Sequence, residues 1–398
     1  DEAVEVVKSK NVKQVMGNLQ KQAKDALNLT NTTMLHKAKD AFVTLAMTTA
    51  EEAVKIMNNN AAAVVTGAES RQQALRKTIK QFNEKGITVS GVFASDDFVR
   101  GHSFEGFRVH KLSEVEEMVD DFVVVLAFAA GYQEIVDKIH EIASRHTLYV
   151  PDVPVVGRGL FTYEYCLENA EKLREVYDSL ADDYSRKVYA NIINFKISGD
   201  IKYLTSVTTP KAEIYKKIIK PTLNETYVDL GAYNGDTIRE LMEFTHGLYH
   251  SIYALEPDKK NFKKLAKSVD GMKHVYAFNA AAWCVNTELP FAAKAGRQSA
   301  ITGSSDTLIP ALSVDNILGK RPSTIIKMDV EGFEREAIWG ASQNIAHYSP
   351  KLMVSLYHRN EDIFELPLLI KSLNPNYKLY IRHQLYIPAW ETNLYAVP

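Results

Sequence analysis

The chain has 398 residues, of which 46% are hydrophobic and 24% charged, as in an ordinary globular protein. Its 47 basic and 49 acidic side chains leave a formal charge of −2, which gives no electrostatic reason to expect nucleic acid or an anionic membrane as a partner. The two cysteines, Cys166 and Cys284, are far apart, cannot form a metal site by themselves, and favour a reducing, cytoplasmic location. No apolar run reaches about 18 residues, so we expect no membrane span. The length predicts two or three domains.

Residues 1–60 are predicted to be a helical N-terminal segment. Apolar side chains recur there at three- and four-residue steps, first over 12–26 and then over 35–45. Such spacing indicates amphipathic helices. The simplest interpretation is a helical cap or a surface that joins copies of the chain into a homo-oligomer, and a part in substrate binding is the alternative.

Residues 61–155 are predicted to form a Rossmann-like α/β domain. Its strands are expected at 61–68, 87–98, 121–130 and 148–150, because these runs are apolar and alternate with helical patterns. The turn at Gly67 has one glycine where a dinucleotide site has three, and Glu69 would place a negative charge beside a pyrophosphate. These features disfavour an NAD-dependent sugar-nucleotide enzyme, which is kept as an alternative function.

Residues 156–205 read as a helical linker, introduced by the proline- and glycine-containing stretch 151–159. Its amphipathic pattern predicts packing between two α/β units. The last domain is expected to span 206–398.

Three apolar strands in the last domain each end in a carboxylate and lead into a helix. The first runs through 226–230 into a glycine turn, with Asp229 at its end, Gly231 and Gly235 behind it, and Asp236 or Thr237 expected to cap the next helix. The second ends at Glu256, which is followed by Pro257, and the third ends at Asp329 and Glu331. This pattern predicts a doubly wound sheet whose ligand lies across the carboxyl ends of the strands, with Glu256 accepting hydrogen bonds from ribose hydroxyls.

Four strings carry a family resemblance: VDLGAYNGDT, ALEPDKKNFKKL, IIKMDVEGFEREAIWGA and PKLMVSLYH. They resemble the FkbM family of S-adenosylmethionine-dependent methyltransferases, over roughly 205–398. The resemblance implies a class I methyltransferase fold and methyl transfer to a hydroxyl of a sugar, glycan or nucleotide-sugar. The string VFASDDFVRGHSFEGFRVHKLSEV is in turn similar to small sugar-nucleotide-binding Rossmann domains, which draws attention to Asp96, Asp97 and His102.

S-adenosylmethionine is therefore the expected cofactor. Asp229, Gly231 and Gly235 would hold its methionine end, and Ala280 and Ala281 would border the adenine. The full set of predicted cofactor-binding residues is Asp229, Gly231, Tyr233, Gly235, Asp236, Thr237, Glu256, Pro257, Ala280, Ala281 and Asp329.

The predicted catalytic residues are His358, Asp329 and Glu331, with His358 as general base because its ordinary proton affinity suits neutral pH. No metal is predicted. The alternative that these three side chains bind a Mg²⁺ ion together stays open. The predicted substrate-binding residues are Arg297, Ser299, Tyr357, Arg382 and His383. The remaining alternative is a binding protein that has kept the cofactor fold without catalysis.

Overall fold

The computed structural model describes residues 40–46, 90–94, 103–104, 106–119, 122–126, 128–152, 154–157, 160–292, 300–301 and 307–398. Within these ranges the chain forms two α/β sheets, a small third sheet and a set of helices between the two large ones. The predicted α/β class is confirmed. None of the described helices is both long and apolar enough to cross a bilayer.

The N-terminal sheet has six strands in the order β3-β4-β2-β1-β5-β6. Five of them are parallel, and β3 is antiparallel to β4. The strands are β1 (Asp40–Ala46), β2 (Gly91–Ala94), β3 (Ser103–Phe104), β4 (Phe107–Lys111), β5 (Phe122–Leu126) and β6 (Thr147–Tyr149). Helices α1 (Leu112–Met118) and α2 (Gln133–Arg145) connect them, and α2 buries an apolar face that includes Ile135 and Ile139.

One prediction for this region was wrong. Residues 40–46, assigned to an amphipathic helix, form the central strand β1, which pairs with both β2 and β5. The strand predicted at 61–68 and the candidate residues Asp96, Asp97 and His102 lie outside the described residues, as do the first predicted helices.

The middle region is helical as predicted, but in several pieces. The helices are α3 (Tyr163–Glu168), α4 (Ala170–Ser179), α5 (Asp183–Ser198), α6 (Lys202–Thr205) and α7 (Lys211–Ile214), the last continuing as a π-helical turn over Tyr215–Ile219. Helix α5 is buried along most of its length because it packs between the two large sheets. Asp182 caps it by accepting the Ser185 N–H, and Gly199 ends it in the left-handed conformation.

The C-terminal sheet has seven strands in the order β16-β17-β15-β14-β7-β8-β9, all parallel except β17. The strands are β7 (Thr226–Leu230), β8 (Ser251–Leu255), β9 (Val275–Phe278), β14 (Ile325–Met328), β15 (Lys351–Ser355), β16 (Lys378–His383) and β17 (Thr392–Val397). Strands β7, β8 and β14 are fully buried, as expected for a parallel sheet covered on both faces. The strand order reverses between β7 and β14, and ligands of doubly wound sheets bind at that point.

Helices α8 (Asp236–Thr245), α9 (Lys259–Ser268), α10 (Val314–Leu318), α11 (Glu334–Gly340), α12 (Ser342–Tyr348) and α13 (Asp362–Leu373) flank this sheet. A smaller sheet is inserted after β9 and contains β10 (Ala281–Ala282), β11 (Thr287–Ala292), β12 (Ala300–Ile301) and β13 (Leu308–Leu312).

The two large sheets meet at their carboxyl edges. After β5, Ala130 exchanges two backbone hydrogen bonds with Ile387, which lies in the loop after β16. After β6, the Val156 N–H donates to the carbonyl of His358, just beyond β15, at 2.9 Å. Segments leaving the N-terminal sheet therefore border the ligand-binding edge of the C-terminal sheet.

Candidate active site

The turn after β7 is built around Asp229, whose side chain is fully buried. Its Oδ2 accepts a hydrogen bond from the Thr237 hydroxyl in the first turn of α8. Neither residue predicted to cap α8 does so: Gly235 occupies the N-cap position, and Asp236 is exposed as the first helical residue. Thr237 instead connects the helix to the strand through Asp229.

Glycine is required at two places in this turn, for its backbone conformation and for the close approach of neighbouring segments. Gly231 and Gly235 both have φ near +80°, a conformation that side chains disfavour. A Cβ on Gly231 would stand 1.9 Å from the carbonyl oxygen of Asp329, and one on Gly235 would stand 2.4 Å from Oγ of Ser268. The missing side chains therefore let neighbouring protein segments approach, which fixes the turn against β14 and α9.

Glu256, at the end of β8, is buried and faces the same turn. Its Oε2 accepts the Tyr233 N–H and its Oε1 accepts the Asp258 N–H, each at 2.9 Å. Burial raises the pKa of Glu256 to about 7, although these two backbone hydrogen bonds oppose the increase. Pro257 is partly buried beside it, and its carbonyl accepts a hydrogen bond from Asn279.

A lysine missed by the sequence reasoning joins the two neighbouring strands at the switch point. Lys327 of β14 is in register with Asp229 of β7, and its Nζ lies 3.3 Å from Asp229 Oδ1 and 3.9 Å from Asp329 Oδ2. The same Nζ donates to the Gly231 carbonyl at 2.8 Å. Burial would lower the pKa of Lys327, but Asp229 and Asp329 outweigh it and raise that pKa. The sequence did carry a signal for Lys327, because it is the one charged residue in an otherwise apolar strand.

Ala280 and Ala281 lie at the start of the inserted sheet and are 2% and 4% exposed. These values cover the whole residue, so neither the methyl group nor the backbone of either alanine is appreciably exposed. Asn279, one residue earlier, ties this segment to β8 by donating to the Glu256 carbonyl at 2.9 Å.

The three predicted catalytic residues do lie together. His358 is 1% exposed, and its Nε2 lies 3.5 Å from Asp329 Oδ1 and 3.6 Å from Glu331 Oε2. The two carboxylates are about one-third exposed, at 34% and 31%. Asp329 Oδ1 also accepts hydrogen bonds from the hydroxyls of Ser355 and Tyr357, both at 3.0 Å.

The carboxylates around His358 favour its protonated form, which does not suit the predicted role of general base. Burial alone would lower the pKa of its imidazole, but Glu334, Glu331 and Asp329 outweigh burial and raise the pKa to about 10. A histidine that is already protonated at neutral pH cannot accept a proton from a substrate. The exposed carboxylates are the better candidates for that step.

Glu334 is the second functional residue that the sequence reasoning missed. Its side chain is fully buried, and its Oε1 lies 2.9 Å from His358 Nδ1. It belongs to the same DVEGFE string that supplied Asp329 and Glu331, so a further acid three residues after Glu331 was the available signal.

The predicted substrate residues divide into three groups. Tyr357 is mostly buried, donates to Asp329 and lies against His358, with ring centroids 4.3 Å apart and ring planes tilted by 41°, so it lies at the site. Arg382 and His383 do not join it. Arg382 donates to Ser185 and Asp182, and His383 contacts Thr392 and the Tyr386 carbonyl through its two ring nitrogens. Arg297 and Ser299 lie outside the described residues.

The buried contacts correct the interpretation of Arg382 and His383. Arg382 connects the capped start of α5 to β16, and burial lowers the pKa of His383 to about 4, so that this side chain is neutral and internally bonded. Both side chains form their hydrogen bonds with other residues of the protein, which indicates a structural role.

Comparison with known protein families gives a match that begins at Asp229. Residues 229–386 match the family model described as Methyltransferase FkbM domain. These residues form an FkbM methyltransferase domain. The protein is accordingly a methyltransferase, and its cofactor is S-adenosylmethionine.

A solved structure shows the same fold. The methyltransferase FkbM from Methylobacillus flagellatus KT is similar with a TM-score of 0.62 and 20% identity, over 86% of this chain and 100% of that chain. Since residues 206–398 are less than half of this chain, the likeness extends into the N-terminal region. Fibrillarin from Aeropyrum pernix, in complex with natively bound S-adenosyl-L-methionine, is more distant, with a TM-score of 0.31 and 11% identity over 47% of this chain and 73% of that chain.

Two further results concern the rest of the chain. Residues 1–95 match the family model described as Phage minor capsid protein 2. No curated protein matches. The suggested similarity to small sugar-nucleotide-binding domains gains no support from these matches.

The site fits the cofactor on two counts. Asp229 Oδ1 is buried and has no aligned hydrogen bond among the described residues, which leaves it able to accept one from the methionine ammonium. Each Glu256 oxygen accepts one backbone N–H and keeps a lone pair for a ribose hydroxyl.

Proposed function

We propose that the FkbM domain transfers a methyl group to a hydroxyl of a sugar, glycan or nucleotide-sugar. The observation that supports this most is the pair of partly exposed carboxylates, Asp329 and Glu331, at the end of β14 beside the cofactor turn. Carboxylates side by side suit adjacent hydroxyls of a sugar, because each accepts hydrogen bonds from an O–H donor. The family resemblance points to the same acceptor class. A cytoplasmic location and a small-molecule or glycan partner belong to this proposal.

The cofactor, when bound, supplies an activated sulfonium methyl group. The protein's task is then to place the acceptor oxygen in line with that methyl and to remove the hydroxyl proton. Glu331 is the proposed proton acceptor, since Asp329 already accepts hydrogen bonds from Ser355 and Tyr357 that reduce its basicity. The bound cofactor would supply the methyl group to the acceptor oxygen, and Glu331 would take the hydroxyl proton and pass it to water.

The acceptor is proposed to lie between the facing edges of the two large sheets. Val156, on the segment that leaves the N-terminal sheet, fills the space beside Gly332, where a Cβ would stand 3.1 Å from the Val156 Cβ. Arg359 braces the same place by donating to the Gly332 carbonyl at 2.7 Å. The N-terminal region thus supplies a wall next to Glu331, which agrees with the general preference of ligand sites for domain interfaces.

Methyl transfer from labelled S-adenosylmethionine to a panel of UDP-sugars and methyl glycosides tests the proposal. We expect a product carrying a methyl ether, identified by NMR, and a loss of at least about 100-fold in kcat for Glu331→Gln. Glu336→Gln, on the helix that follows the loop of Glu331 and outside the contacts described for His358, is the matched control and should leave kcat unchanged. Methylation of nitrogen or carbon, or full activity in Glu331→Gln, would contradict the proposal.

A further inference from the structure

A buried carboxylate lies behind the candidate active site, where no substrate could reach it. Glu334 is 0% exposed, and its Oε1 accepts the Val330 N–H at 2.8 Å, so it holds the loop that carries Asp329 and Glu331. The same oxygen lies 2.9 Å from Nδ1 of His358. Its other oxygen, Oε2, has no hydrogen-bond partner among the described residues. A buried carboxyl group of this kind stays ionised only beside a positive charge or several hydrogen-bond donors, and otherwise becomes protonated.

His358 is the group that can supply that charge. Its ring stands between Glu334 on the Nδ1 side and the Asp329–Glu331 pair on the Nε2 side. Asp362, at the start of α13, is a further buried acid of this cluster, and its Oδ2 accepts the Arg359 N–H. Glu334 and Asp362 face His358 from two helices, and Asp329 and Glu331 face it from the loop after β14. The charges of Glu334, Glu331 and Asp329 favour the imidazolium form. Burial raises the pKa of Asp362 to about 8, so this acid adds little negative charge at neutral pH, and Lys327, 3.9 Å from Asp329, is a second cation of the cluster.

Ligand atoms of Asp329, Glu334 and His358 lie within 4.8 Å of one another, which is close enough to share a metal ion. In the arrangement proposed below, the imidazolium takes the place of such an ion between the carboxylates.

We propose that Glu334 is a positioning residue that holds His358 as an imidazolium, with its Nε2–H directed at Asp329 and Glu331. The cation keeps the two exposed carboxylates ionised and side by side, facing the acceptor. A buried acid thus lies against one ring nitrogen of the histidine, at an ion-pair distance and without the alignment of a hydrogen bond. The histidine here provides a fixed positive charge, and Glu331 is the residue that accepts the proton. The catalytic part of this inference rests on the proposed function, but the protonation of His358 does not.

Nitrogen-15 NMR of the histidine rings in the full chain tests the inference without an acceptor. The His358 signals are assigned by their loss in His358→Gln, and the titration is followed from pH 5.5 to 11. We expect His358 to remain protonated up to pH 8.5 in the unmodified protein. In Glu334→Gln the midpoint should fall by at least about one pH unit, whereas Glu336→Gln should leave it unchanged.

Two results would overturn the inference. One is a neutral His358 at pH 7 in the unmodified protein, which decides the matter even if Glu334→Gln does not fold. The other is a folded Glu334→Gln that binds S-adenosylhomocysteine normally and leaves the His358 titration unchanged.

Kinetics then separate this inference from the proposed function. These kinetics use a sugar that the unmodified enzyme methylates. Glu334→Gln should lower kcat by about tenfold or more and leave the Kd for S-adenosylhomocysteine unchanged. Glu334→Asp should restore part of the lost kcat. If no hydroxyl acceptor is methylated but His358 titrates as described, the proposed function fails and the positioning role stands.

Discussion

The backbone N–H of Tyr233 donates to Oε2 of Glu256 at 2.9 Å. This bond joins the glycine turn after β7 to the end of β8, the two segments predicted to hold opposite ends of the cofactor. Tyr233 makes it from a left-handed conformation, with φ of +47°. The carboxylate is therefore oriented before the cofactor arrives, and the shape of the turn depends on its charge.

Cofactor affinity should depend on pH through Glu256. Burial raises the pKa of this carboxyl to about 7, so it is largely protonated at pH 6 and largely ionised at pH 8. Ribose hydroxyls donate to the ionised form, so the affinity for S-adenosylhomocysteine should rise by about tenfold from pH 6 to pH 8. Calorimetry at the two values measures the change. Glu256→Gln should bind more weakly and without that dependence, and the same slope in this variant would refute the assignment.

The same shift affects folding stability in a defined direction. The folded pKa of Glu256 lies above the ordinary value of 4.5, so the folded protein binds more protons between about pH 4.5 and 7. The contribution of Glu256 to stability is therefore present at low pH and is lost as pH rises through 7. Urea unfolding of the cofactor-free protein should show this loss, and Glu256→Gln should remove it.

Gly231→Ala should disrupt the site far more than a control glycine with the same backbone conformation. Gly247 has φ of +77° and open space around it, so Gly247→Ala measures only the conformational cost, about 1 kcal/mol. In Gly231→Ala the new Cβ would also stand 1.9 Å from the Asp329 carbonyl oxygen, which must move. We expect Gly231→Ala to abolish S-adenosylhomocysteine binding and Gly247→Ala to preserve it. Equal effects in the two variants would contradict the close approach of β7 and β14.

Lys327→Met should leave the buried Asp229 without its cation. Asp229 is fully buried, and removing one partner of a buried ion pair typically costs roughly 3 to 5 kcal/mol. Denaturant unfolding measures the loss, with the exposed Lys320→Met as control. Cofactor binding should also weaken, because Lys327 holds the Gly231 carbonyl. A stability equal to that of the control would show that the pair contributes nothing.

Arg382→Met separates a structural role from substrate binding. The guanidinium is 8% exposed and donates to Asp182 and Ser185 at the start of α5, so its loss should cost roughly 2 to 5 kcal/mol. Arg335, whose ion pair with Glu365 is exposed, is the matched control, and Arg335→Met should cost less than about 1 kcal/mol. If Arg382→Met kept its stability and lost only affinity for the acceptor, the original substrate assignment would be restored.

The sequence predicted the C-terminal region well because each strand is a short apolar run that ends in a carboxylate. Asp229, Glu256 and Asp329 stand where that pattern placed them, at the carboxyl edge of one sheet. The roles of Lys327 and His358 did not follow from the pattern. Both depend on charges brought together from separate strands and helices, and no local signal reports how many acids surround a histidine.

The N-terminal region was harder for a different reason. The stretch DAFVTLA places apolar residues at helical spacing but also contains Val43 and Thr44, so a short run of this kind is ambiguous. Its pairing with β2 and β5 decides in favour of a strand, and those partners are about 50 and 80 residues away. Tertiary contacts therefore overrode the local pattern.

Titration calorimetry with S-adenosylhomocysteine tests the cofactor site most directly. The account predicts one site per chain with a micromolar Kd in the unmodified protein, lost in Glu256→Ala and kept in Glu336→Gln. Absence of binding to the folded, unmodified protein, or binding that is unaffected by Glu256→Ala, would contradict it.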